Sequence, residues 1–219
     1  MIIADNVLSP DDVRAILTGL EQVPFRGGEL TAGPAASRVK HNEQARGDDP
    51  GVIALGRRVR LALEIHPVMR RLVRPVRWSS LIFSRYQPGQ AYGLHADNAG
   101  MVDTSGWPLR TDVSFTVFLS EPDTYEGGAL LIQDLSGERE FRPPAGSVVL
   151  YPTGLLHRVT PVTEGTRMAC VGWVQSLVRR ADQREVLYDL ETLRAKLPGQ
   201  EPLILDKTIG NLLRMWGED

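Results

Sequence analysis

Apolar positions fall into three regimes along the chain. Over residues 9–20 they recur at helical spacing, with Val13, Ile16, Leu17 and Leu20 following Ser9-Pro10-Asp11-Asp12, a cap residue, a first-turn proline and early acids. The pattern predicts a helix on the outside of a barrel. Residues 26–50 are rich in Gly, Ala, Ser, Asn and Asp and show no period, so a mobile loop is expected there. A second helix should follow through Val52, Leu55, Val59, Leu61 and Leu63. From 76 to 176 short β-rich runs alternate with Gly and Pro turns, the pattern of a double-stranded β-helix, or jelly roll. After Gln175 the helical period returns. Val186, Leu187, Leu190, Leu193 and Leu197 form one stripe, stopped by Pro198-Gly199, and Ile204, Leu205, Ile209, Leu212, Leu213 and Trp216 form another. These stripes are expected to pack against the core or against a second subunit in a homo-oligomer.

The expected fold class is mainly β with flanking helices. Residues 1–75 form an N-terminal helical and loop support, 76–177 the jelly-roll core and 178–219 a C-terminal helical extension. The chain has 219 residues, 42% hydrophobic and 24% charged, enough for one good core. A formal charge of -2 leaves no electrostatic footprint for nucleic acid or an anionic membrane. Cys170 is the single cysteine, so no internal disulfide forms; it reads as a small buried hydrophobe, with an iron-proximal thiol as the alternative. The start lacks a basic n-region and a long apolar stretch, and no segment approaches a membrane span. Cytoplasm is the expected compartment.

The candidate chemistry centres on His95-Ala-Asp97, with His157 and Arg167 downstream. Two imidazoles and one carboxylate on one face of a metal, leaving three positions open, suit a non-heme Fe(II) oxygenase. On an extended strand residues two apart point the same way, so His95 and Asp97 can reach one ion. A triplet of this kind also arises by chance, but both histidines sit at strand margins, whereas His41 and His66 lie in polar or helix-like stretches. Between His157 and Arg167 the sequence reads as a hairpin around Thr163-Glu164-Gly165, pairing Arg167 with Pro161 and His157 with Val171. That register puts Arg167 on the face of His157, where it could bind the far carboxylate of a metal-chelating diacid. The plain alternative is a surface arginine. Residues 98–110, with Asn98 and Trp107, read as a lid over the metal or an ordinary surface loop.

Tyr86-Gln-Pro-Gly89-Gln-Ala-Tyr92-Gly-Leu-His95-Ala-Asp97 resembles the Tyr-x-x-Gly-x-x-Tyr-x-x-His-x-Asp pattern of prolyl 4-hydroxylase-like Fe(II)/2-oxoglutarate dioxygenases. The blocks Val39-Lys40-His41-Asn42, Arg110-Thr-Asp-Val-Ser-Phe-Thr-Val-Phe-Leu-Ser120, Tyr125-Glu-Gly-Gly128, Leu150 through Arg167 and Trp173-Val-Gln-Ser176 extend the resemblance to the bacterial PKHD-type hydroxylases. It covers nearly the whole chain. The resemblance implies Fe(II) held by His95, Asp97 and His157, with Arg167 on the C5 carboxylate of 2-oxoglutarate and Tyr86 as a further partner. Where several prolyl hydroxylases carry Tyr, Phe118 stands before Leu119, so Ser114 or Thr116 is expected to supply the missing hydroxyl.

The resemblance also implies dioxygen as co-reactant, succinate and CO2 as products, and L-ascorbate as a supporting reductant. Asp97 argues against halogenation, since its carboxylate fills the place a halide would take. Two rivals stay open: a non-catalytic metal-binding jelly-roll protein and a Zn-dependent hydrolase on the same three ligands. The substrate, a peptide, protein side chain, amino acid or other small molecule, is not specified by the sequence. Lys40, Asn42, Asn98 and Trp107 are the candidates for selecting it, because loops on a rigid scaffold usually carry that role.

Overall fold

In the computed structural model, which describes residues 1–34, 36–198 and 202–218, the apolar runs become strands of two facing antiparallel sheets. The first strands are β1 (Ile2–Ala4), β2 (Phe25–Gly27), β3 (Lys40–His41), β4 (Glu43–Ala45), β5 (Pro75–Trp78) and β6 (Ile82–Tyr86). Next come β7 (Ala91–His95), β8 (Gly100–Val102), β9 (Pro108–Arg110), β10 (Val113–Phe118), β11 (Tyr125–Gly127) and β12 (Leu130–Asp134). The last are β13 (Gly137–Phe141), β14 (Val148–Pro152), β15 (Leu156–Val159), β16 (Val162–Gly165) and β17 (Arg167–Ser176). The major sheet has the order β1-β14-β10-β17-β6-β4-β2, with β5 also on β17, and the minor sheet runs β13-β12-β15-β7-β3. The architecture is a jelly roll whose two sheets stay separate rather than closing into a barrel.

Both faces of the major sheet are covered, which is why every residue of β10 is buried. Val113, Phe115 and Val117 face helices α1 (Pro10–Leu20) and α2 (Pro50–Ile65), packing with Val13, Ile16, Val52, Val59 and Leu63. Phe118 points the other way, toward Leu130, Ile132 and Val159 of the minor sheet. Each large apolar side chain so buried contributes roughly 1.5–3 kcal/mol. Helix α1 starts where the sequence says it should: the Ser9 hydroxyl accepts from the Asp12 N–H at 3.1 Å, and the Asp12 carboxylate accepts from the Ser9 N–H at 3.2 Å.

Three expectations are corrected. Residues 26–50 are not a loop: they contain β2, β3, β4 and two 3-10 turns, Gly28–Thr31 and Ala36–Val39. Strand β4 pairs with β6 and β3 with β7, so this segment lengthens both sheets, in strands too short to show a period. The hairpin register joining His157 to Val171 and Arg167 to Pro161 does not form. Instead β15 pairs with β12 and β7, β16 with β11, and β17 with β6 and β10. Pro161 cannot donate to a ladder; its carbonyl accepts from the Gly128 N–H at 3.2 Å, and there the chain leaves the minor sheet. The third correction concerns Leu61, Val186, Leu193 and Ile204, which the stripes counted as packed but which are exposed.

Leu187, Leu190, Leu205, Ile209, Leu212, Leu213 and Trp216, with Leu177 and Val178, fill a small separate core between α3 (Ala181–Arg194) and α4 (Pro202–Trp216). Gly199 of the expected helix stop lies outside the described residues. Residues 98–110 contain the β8–β9 hairpin, bridged to Ser79 through Asp103. Among the described residues no helix is long and apolar enough to cross a membrane.

Candidate active site

Strands β7 and β15 are neighbours, and their register sets His95 directly opposite His157. Asp97 lies two residues on, just past the end of β7. Nδ1 of His95 donates to the Gly93 carbonyl at 2.8 Å, and Nδ1 of His157 to the Leu155 carbonyl at 3.0 Å. A carbonyl can only accept, so both rings keep their proton on Nδ1 and offer Nε2 to a metal. The two Nε2 atoms lie 3.7 and 3.6 Å from the two oxygens of Asp97. One donor atom from each of the three residues falls within 4.8 Å of the others, the sole such cluster among the described residues. Burial, then the proximity of His157, pushes His95 down to about 4, which leaves it neutral at pH 7, the form a metal binds.

The carboxylate is held from the opposite sheet. Asp97 Oδ2 accepts from Ser114 Oγ on β10 and from Trp173 Nε1 on β17, both at 2.9 Å. The histidines are fixed by aromatic rings: Tyr92 stacks on His95 with centroids 3.6 Å apart, and Tyr151 meets His157 edge-on at 5.1 Å.

Arg167 opens β17, opposite Tyr86 of β6. It is not on the surface: only 2% of it is exposed. Its guanidinium carbon lies 5.2 Å from the Tyr86 ring centroid and 5.0 Å from that of Phe118. Nε has no hydrogen-bond partner, and no described carboxylate comes within 4.0 Å of the group. A buried cation of this kind is costly unless an anion meets it. Phe118, the departure from tyrosine, contributes a ring face where a hydroxyl was expected.

His95, Asp97, His157, Arg167, Tyr86, Ser114, Thr116, Lys40 and Asn98 all line one pocket between the sheets. Two candidates do not. Asn42 is buried behind the wall, beside Tyr86, and Trp107 is 67% exposed on the β8–β9 turn. Cys170 faces the helices on the other side of β17, where burial pushes its thiol upward. Trp173 was not picked out from the sequence as a site residue. It shares the parity of Arg167 along β17, and that period of two was the available signal.

A family model for the 2OG-Fe(II) oxygenase superfamily matches residues 81–175. A PKHD-type hydroxylase of Picosynechococcus is 45% identical over 218 residues, 97% of each chain. Another, from Hyphomonas neptunium, is 41% identical over 224 residues, spanning the full length of both. Among solved structures, a Pseudomonas putida prolyl-4-hydroxylase matches 80% of this chain and 91% of its own, with a TM-score of 0.52 and 22% identity. HygX from Streptomyces hygroscopicus, solved with nickel and 2-oxoglutarate bound, matches 81% and 83% with a TM-score of 0.53 and 16% identity. At these identities the structural likeness is one of fold. Identity along the whole length, with the His-Asp-His cluster in place, shows that the chain is an enzyme of the 2OG-Fe(II) oxygenase superfamily and belongs to the PKHD-type hydroxylases.

Proposed function

We propose that this chain hydroxylates a small-molecule or peptide substrate, consuming 2-oxoglutarate and dioxygen and releasing succinate and CO2. In this reading His95, Asp97 and His157 hold Fe(II), and Arg167 receives the distal carboxylate of 2-oxoglutarate. The donor set fits the ion: two neutral imidazoles with Nε2 free and one oriented carboxylate. Bound iron and cosubstrate supply the oxidising chemistry; the chain supplies orientation and dryness. Ser114 and Trp173 fix the carboxylate, Tyr92 and Tyr151 pack the imidazoles, and Tyr86 and Phe118 shield the guanidinium from water. Thr116, on the same face of β10 as Ser114, belongs with Tyr86 to the cosubstrate wall. Ascorbate enters the proposal as a supporting reductant that lengthens the linear phase of succinate release.

The observation that carries this reading is Arg167, buried and without a carboxylate in the same pocket as the three metal donors. A passive metal site or a zinc hydrolase has no use for it. Anaerobic titration of Fe(II), then of 2-oxoglutarate, tests the proposal: a visible charge-transfer band should grow only when both are present. Tight metal binding with no band would return the site to the passive or hydrolytic reading.

A further inference from the structure

The pocket contains a second buried cation that the proposed reaction does not use. Lys40 sits on β3, the edge strand that pairs with β7, and its register partner is Tyr92. It is 7% exposed and lines the same pocket as the metal donors. Its ammonium donates to the Thr31 hydroxyl at 3.1 Å and lies 4.9 Å from the centroid of the Tyr92 ring, the ring stacked on His95. Thr31 in turn donates to the side chain of buried Gln44 at 2.6 Å, so the ammonium is held by a chain of neutral groups. Asp97 and Glu29 act on it only from a distance; no described carboxylate lies within 4.0 Å. An ammonium has three donors, and Thr31 takes one.

Building on the proposed function, we infer that the substrate carries a carboxylate and that Lys40, positioned by Thr31 and Tyr92, is the residue that receives it. The cosubstrate cannot fill this role, because its two carboxylates are already committed, one to the metal and one to Arg167. The charge balance agrees. Fe(II), Arg167 and Lys40 set against Asp97 and the 2-oxoglutarate dianion leave the loaded pocket with one positive charge, which one carboxylate neutralises. Burial pushes Lys40 down to about 8, so it is still mostly charged at pH 7 and a nearby anion would raise it again. Substrates of this class include free amino acids and peptides presenting a carboxylate; a neutral internal peptide segment is not among them.

The chain has three lysines, Lys40, Lys196 and Lys207, so protein labelled with carbon-13 at lysine Cε gives three resolvable signals. The probe is propionate, with propionamide as its uncharged match, titrated into the Zn(II)-substituted protein saturated with 2-oxoglutarate. Propionate is expected to move the Lys40 signal saturably and leave Lys196 and Lys207 in place, while propionamide moves none. Lys40→Arg should keep propionate binding and Lys40→Met should weaken it at least tenfold with 2-oxoglutarate affinity held within about twofold. An unmoved Lys40 signal, or three signals moving alike, overturns the inference even if neither variant folds. So does a tenfold loss of 2-oxoglutarate in Lys40→Met, which would assign the lysine to the cosubstrate. Failure of 2-oxoglutarate to bind the wild-type protein would instead count against the dioxygenase reading, and that titration is done first.

Discussion

In the proposed reading Arg167 is the one side chain that separates cosubstrate binding from metal binding. A hydrogen bond to a charged group contributes about 1.5–3 kcal/mol, and a bidentate pair in a dry pocket lies at or above the upper end. Arg167→Ala should therefore weaken 2-oxoglutarate on the order of 100-fold or more, at about 1.4 kcal/mol per factor of ten, with little change in Fe(II) affinity. Arg167→Lys should recover part of the loss by keeping the charge without the planar fork. Titrating 2-oxoglutarate into the anaerobic iron complex decides it, and wild-type affinity in Arg167→Ala would mean the carboxylate is held elsewhere. Trp173→Phe keeps the ring but removes the donor to Asp97, and Ser114→Ala removes the other. Each should lower Fe(II) affinity by about 10–100-fold while the fold survives. Chelator competition measures this; unchanged affinity would show that Asp97 is held without them. The His95, Asp97 and His157 cluster was legible in the sequence because few residue types suit a metal and two of the three lie two residues apart, with His157 marked by its place at a strand margin. Trp173 was not, because its partner lies across the gap between the sheets.

Strands β11 and β16 bear on the position of Arg167. They pair beside the stem of Arg167, and Gly128, just after β11, has φ of 61°. A Cβ there would stand 2.9 Å from Val162 Cγ2 and 3.0 Å from Arg167 Cδ. Gly89 also has positive φ, 86°, but a Cβ on it meets nothing within 4 Å. Gly89→Ala should then show only the left-handed backbone cost, roughly 1–2 kcal/mol. That corresponds to a few degrees of Tm, at roughly 2–4 °C per kcal/mol in a chain of this size. Gly128→Ala should lose more Tm and weaken 2-oxoglutarate as well. Normal cosubstrate affinity in Gly128→Ala would show that the arginine stem has room to shift. These pairings also explain what the sequence concealed. Thr163-Glu164-Gly165 reads locally as a hairpin loop, and Gly165 does adopt positive φ, but its strand finds a partner some forty residues upstream, Tyr125 opposite Gly165. Likewise Lys40 of β3 and Gln44 of β4 are polar yet buried because they line the pocket, rather than exposed in a loop.

At the scale of the whole molecule, burial of titratable groups sets the response to alkali. Burial pushes Cys170, Tyr86, Tyr92 and Tyr151 upward, and it pushes Lys40 down to about 8. In the unfolded chain Cys titrates near 8.5, Tyr near 10 and Lys near 10.4. For the raised acids the unfolded chain releases protons first, so their contribution is complete below those values and is lost as pH climbs past them. Lys40 has the opposite sign and adds stability between about pH 8 and 10.4. Four groups against one predict that the metal-free protein loses stability above about pH 9. The urea midpoint should stay nearly level between about pH 7.5 and 9, where Cys170 and Lys40 oppose each other, and fall between about pH 9 and 10.5, less steeply in Cys170→Ala; a midpoint that rose throughout would mean that Lys40 dominates. The strand-rich jelly roll and the helical ends were readable from periodicity, whereas the meeting of cations from both sheets in one pocket depends on pairings no local pattern encodes. Arg167 gives that meeting a consequence for the life of the protein. A guanidinium buried without a partner weakens the free chain, and a ligand present at 100 times its Kd stabilises it by about 2.7 kcal/mol. Resistance to proteolysis should therefore rise with 2-oxoglutarate concentration in wild type and stay flat in Arg167→Ala, which pulse proteolysis can measure. The amount of this enzyme in a cell would then be set partly by the small molecule it consumes.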